Sequence, residues 1–66
     1  MRYADFRDVI QNELRRNPAG LTWAQLKESL ALPYKRPCPT WVRRMESEIG
    51  LTRARGTGRA LVWKIR

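Results

Sequence analysis

The chain contains no histidine. The commonest general base and metal ligand near neutral pH is therefore missing. A single cysteine, Cys38, rules out an internal disulfide. With no signal-peptide pattern, the expected compartment is a reducing cytoplasm. No apolar run approaches the length of a membrane span. Acids are few, six against fourteen lysines and arginines. They are scattered, and with one thiol they make no recognisable catalytic or metal-binding set. Neither enzymatic activity nor a cofactor, metal or small-molecule substrate is expected. There is no internal repeat and no low-complexity segment. Sixty-six residues allow one small domain, here 1–66. Such a domain buries only about 60% of its unfolded surface, which leaves a thin core. It has room for a binding surface but hardly for a deep ligand pocket.

Positive charge is what the chain has in excess, and its distribution is uneven. Residues 32–66 hold nine of the fourteen cations and two of the six acids, and so +7 of the formal +8. A basic half built on ordered elements suggests a surface shaped for a polyanion. Arginine outnumbers lysine eleven to three, but a GC-rich genome gives the same bias. The 42% hydrophobic content and six aromatics suffice for a folded chain.

Hydrophobic periodicity predicts the elements. Tyr3, Phe6, Val9, Ile10 and Leu14 share one face of a helix over about 3–16, with Arg7, Asp8, Gln11 and Arg15 opposite. Asn17-Pro18-Ala19-Gly20 breaks the chain. Thr22 is a good N-cap for a second helix over about 22–30, and Gln25 stands where a capping box needs it. Trp23, Leu26 and Leu30 mark its buried side, and Leu21 is a candidate for brief strand pairing. Pro33, Pro37 and Pro39 forbid helix through the next stretch. A third helix follows over about 39–49, capped by Cys38 with Pro39 first or else by Thr40, the former favoured. Gly50 then suits a left-handed helix end. Leu51–Arg55 and Ala60–Ile65 read as the strands of a hairpin over about 51–65, turning at Gly56-Thr57-Gly58. Leu61, Trp63 and Ile65 alternate on one side.

The third helix carries the first candidate site. Val42, Met45 and Ile49 fall on one face, which must be core. Thr40, Arg43, Arg44 and Ser47 fall on the other. An α-helix fits the DNA major groove, where arginine reads guanine bidentately and hydroxyls reach phosphates or base edges. A charged outer face is also what an ordinary solvated helix presents, and Arg44 could simply pair with Glu48. The hairpin tips the balance. Arg53, Arg55 and Arg59 cluster around the Gly-Thr-Gly tip with no acid among them. Guarding a sheet edge takes only one or two charges of either sign.

This order of elements resembles the winged helix-turn-helix family over the whole chain. Gly20–Leu26 looks like that family's entry into its second helix, Thr40–Ile49 like its recognition helix and Leu51–Ile65 like its wing. The resemblance implies an α+β, mostly α fold: a three-helix core with a small antiparallel sheet and a C-terminal β-hairpin wing. It implies double-stranded DNA as the partner. Sequence-specific or semi-specific binding is expected, with transcriptional regulation the favoured role; a recombination accessory factor, a plasmid or phage protein and a chromatin component are also compatible. Arg43, Arg44 and Ser47 then face the groove, and Arg55 and Arg59 contact backbone or minor groove. The DNA-binding set is Lys35, Arg36, Thr40, Arg43, Arg44, Ser47, Arg53, Arg55, Thr57 and Arg59. The chain departs from a simple helix-turn-helix in its link, Ala31–Pro39, which is long. Lys35 and Arg36 in that link could reach flanking phosphates.

Two rival readings remain. A winged helix that binds protein within a larger complex would need an exposed aromatic anchor, such as Trp41 or Tyr34. RNA binding would need aromatics free to stack on unpaired bases. Trp23 and Trp63 are expected to be structural, Trp41 lies at the border of the buried face, and Cys38 is expected to be a small buried filler. The expected state is a monomer or a weak homodimer, and the location is the nucleoid if DNA is bound.

Overall fold

Three helices and a three-stranded antiparallel sheet build a mostly helical α+β fold in the computed structural model, which describes residues 1–56 and 58–66. The order is α1 (Tyr3–Arg16), β1 (Leu21–Thr22), α2 (Trp23–Leu30), α3 (Pro39–Glu48), β2 (Leu51–Arg55) and β3 (Leu61–Ile65). The periodicity placed each element within a residue or two. Thr22 stands outside α2 because it caps it, Ile49 caps α3, and the return strand starts at Leu61 rather than Ala60.

Local chemistry explains the helix ends. At the start of α2 the Gln25 N–H donates to Thr22 Oγ1 at 3.2 Å, and the Thr22 N–H donates to Gln25 Oε1 at 2.9 Å. This reciprocal box satisfies two donors that a helix start leaves orphaned. The end of α2 is less expected. Ala31 takes a left-handed conformation with φ of 51°, and the Leu32 N–H donates back to Lys27 O at 3.0 Å. That closure swings Leu32 into the core, where it is 5% exposed, although the link containing it reads as loop. Pro39 opens α3 behind Cys38, and Gly50 closes it with φ of 67°.

The sheet order is β1-β3-β2, so the last strand lies in the centre. Leu21 pairs with Trp63 and Thr22 with Val62, and β2 runs from Leu51 opposite Ile65 to Arg55 opposite Leu61. The short β1 can reach β3 because Gly20 precedes it. With φ of 94°, a Cβ there would stand 2.5 Å from Val62 Cγ1 and 2.9 Å from the Trp63 carbonyl oxygen.

The core comprises Phe6, Ile10, Leu14, Leu26, Leu32, Val42, Met45, Leu51 and Trp63. Val9, on the expected apolar face of α1, is only half-buried. All six aromatics join in one contact series through this core. Trp63 stacks on Trp23 with centroids 5.5 Å apart, and Trp23 meets Phe6. Phe6 meets both Tyr34 and Trp41, and Trp41 meets Tyr3 edge-on. The link between α2 and α3 is tied down by the Trp23 indole N–H, which donates to Lys35 O at 3.0 Å. The Ser29 hydroxyl donates to the Glu13 carboxylate and ties α2 to α1.

Candidate nucleic-acid interface

Helix α3 buries Val42 and Met45, and that choice orients everything else on it. Thr40, Arg43, Arg44 and Ser47 are all exposed on the opposite side. Lys35 and Arg36 are exposed in the link, Arg53 and Arg55 on β2, and Arg59 in the connection to β3. Thr57 lies outside the described residues.

These cations do not all stand in the same condition. Arg44 Nε donates to Glu48 Oε2 at 3.3 Å, and its guanidinium lies 3.9 Å from the centre of the Tyr3 ring. Glu48 Oε1 also accepts from Arg7 Nη1 at 2.9 Å and from the Tyr3 hydroxyl at 3.2 Å. One carboxylate thus joins the end of α3 to the start of α1. The Arg7 hydrogen bond, aided by those from Tyr3 and Arg44, holds the Glu48 carboxyl below its usual range. Burial and donation to Glu48 push the Tyr3 hydroxyl up, and the hydrogen bond to Glu48 raises Arg7. Arg7, which the helical pattern puts on the solvated face, is therefore a bridging residue. The pattern on α1 alone could not reveal a partner forty-one positions away.

The hairpin arginines also differ. In register, Arg53 faces Trp63 and Arg55 faces Leu61, so both side chains lie on the sheet face that carries the indole. The Arg53 guanidinium stands 5.6 Å from the Trp63 ring centre and covers it. Arg53 is thereby partly occupied inside the molecule. Lys64 falls on the opposite face. It and Arg66 are exposed cations outside the expected set, although strand alternation already turned Lys64 away from Trp63.

Among the described residues, Arg44 is the only cation of residues 32–66 in an ion pair. Lys35, Arg36, Arg43, Arg53, Arg55, Arg59, Lys64 and Arg66 are exposed with no acidic partner. Of the two acids in this half, Glu48 faces α1 and Glu46 makes no ion pair. No described group of histidine, cysteine, aspartate or glutamate could hold a metal ion, and no described helix is long and apolar enough to cross a membrane.

Tyr34 and Trp41 are half-buried and packed on each other and on Phe6. Cys38 is exposed, contrary to the buried filler expected. As the cap of α3 it precedes the turn that enters the core, and Val42 fills the interior instead.

Comparison of the chain with protein-family models, with curated proteins and with solved structures found no match.

Proposed function

We propose that this chain is a double-stranded DNA-binding domain of the winged helix-turn-helix kind, serving transcriptional regulation. The exposed face of α3 enters the major groove, and the arginines of the hairpin rest on the backbone or minor groove. The carrying observation is the set of eight exposed cations of residues 32–66 that have no acidic partner among the described residues. A phosphate backbone supplies the missing partners, and release of its condensed counterions drives the association. The order of helices and hairpin, with its small antiparallel sheet, supports the same reading.

Duplex DNA is favoured over the two rivals by where the aromatics lie. Tyr34 and Trp41 are packed among core rings rather than projecting as anchors for a protein. Trp63, the hairpin's one aromatic, is 1% exposed and offers no face to an unpaired base.

The test is the salt dependence of binding to a generic duplex. Neutralising roughly four to six phosphates gives a slope of log K against log salt of about −4 to −5. An affinity indifferent to salt would sink the proposal.

A further inference from the structure

A cup of about 270 Å3 lies where α1, the link and the start of α3 meet. Phe6, Tyr34 and Trp41 wall it with Pro37, and Arg36 and Cys38 complete the lining. The three rings incline to one another at 48° to 82°, with centroids 5.1 to 6.0 Å apart. Rings so close are in direct contact with one another, so a guest lies against the accessible parts of Tyr34 and Trp41, with the buried Phe6 at the floor.

That lining specifies a guest. The volume falls just under the range of about 300–1,000 Å3 that takes drug-sized ligands, so the guest is small. Aromatic walls favour a flat ring that meets them edge-to-face or in offset stacking. Arg36 is the only charged side chain in the lining, and it has no ion-pair partner among the described residues. A guanidinium fork fits a carboxylate bidentately. A cationic guest would meet Arg36 with no acid in the lining to offset it. The concavity between α1 and α2, in contrast, is lined by Glu13 and Glu28 and does not suit an anion.

We propose that this cup binds a small aromatic carboxylate of one ring or two fused rings, with the ring against Tyr34 and Trp41 and the carboxylate on Arg36. The cup shares Arg36 with the proposed DNA-binding surface but needs no DNA, and its test leaves DNA out.

The probe is 2-naphthoate, titrated into the full chain labelled with nitrogen-15, with neutral 2-naphthalenemethanol as the comparison. Saturable shifts are expected at Phe6, Tyr34, Cys38 and Trp41, including the Trp41 indole N–H. A ligand of this size in a good site binds with a Kd of about 0.1–1 mM. The alcohol should bind about fivefold more weakly, and R36Q should weaken the carboxylate by about the same factor while leaving the alcohol unchanged. Because Arg36 is exposed, the variant's spectrum should otherwise match the parent's. Cys38 gives a second readout at the site, since bound naphthoate should slow its alkylation by iodoacetamide several-fold. No saturable shift and no protection at millimolar probe would overturn the proposal. So would shifts confined to the hairpin arginines, which would mean loose attraction to the basic surface. Equal binding of acid and alcohol, or indifference to R36Q, would refute the carboxylate assignment.

Discussion

Arg43 and Arg44 are neighbours in sequence and unequal in circumstance. Arg44 is held by Glu48 and lies over Tyr3, whereas Arg43 has no ion-pair partner among the described residues. A side chain without an internal partner can reorient toward base edges at lower cost. Replacing Arg43 by alanine should therefore relax preference at particular base pairs. Replacing Arg59 should weaken all sequences about equally and reduce the salt slope by about 1. Binding to a panel of duplexes at several salt concentrations distinguishes the two, and the reverse pattern would exchange reader and clamp. Glu48 makes a separate prediction. Its folded carboxyl titrates below the usual 4.5, so its bridge contributes fully above that pH and is lost as pH falls through the folded value. E48Q should lower the urea midpoint at pH 7, and the difference from the parent should close once the pH has fallen through the lowered folded value of Glu48. A difference that persists in acid would mean that Glu48 acts through packing rather than charge.

At the scale of the element, the short helix α2 depends on its ends. Eight residues are too few to hold a helix in isolation, and its box of Thr22 and Gln25 fixes one end. The other end is closed by a left-handed alanine, a conformation that costs an L residue roughly 1–2 kcal/mol. The turn that Ala31 makes delivers Leu32 to the core. Glycine would take the same turn without that strain, against a larger entropy loss on folding. A31G should consequently raise stability by up to about 1 kcal/mol in urea unfolding. A loss of stability would mean that the Ala31 methyl makes contacts that outweigh the strain. The hairpin illustrates a related point. Its register sets Arg53 over Trp63, so one hairpin arginine also shields the core from water.

Across the whole molecule, one contact series of six aromatics links core and surface. It starts at Trp63 in the central strand and ends at Tyr3 on α1, with arginines over the rings at both ends. Trp63 is 1% exposed and is among the largest fully buried side chains. Truncating a buried tryptophan to alanine typically costs about 3–5 kcal/mol. A chain of this length has roughly 3–10 kcal/mol of total stability. W63A should therefore leave the domain largely unfolded or barely folded at room temperature, as judged by loss of amide dispersion in NMR. A well-dispersed spectrum would mean that Trp23 and Arg53 close over the gap.

What the sequence determined by itself was local. Hydrophobic spacing at 3.6 and at 2 residues marked the helices and hairpin, and turn and capping residues marked their ends, because those signals depend on neighbours in the chain. The exposed side of α3 followed from the same arithmetic once Val42 and Met45 were assigned to the core. Only the tertiary structure decided the partnerships. Arg7 with Glu48, Tyr3 with Arg44, Leu21 with Trp63 and the cup between α1 and α3 all join residues far apart in sequence. Their pairing depends on how the helices pack, and no local pattern encodes it. Cys38 faces water against expectation, and Leu32 enters the core without a sequence signal, for that reason: whether a residue in a proline-rich link faces water or core depends on the path of the link. That path is set by the Ala31 turn and by the Trp23 hydrogen bond to Lys35, contacts that exist only after the chain has folded.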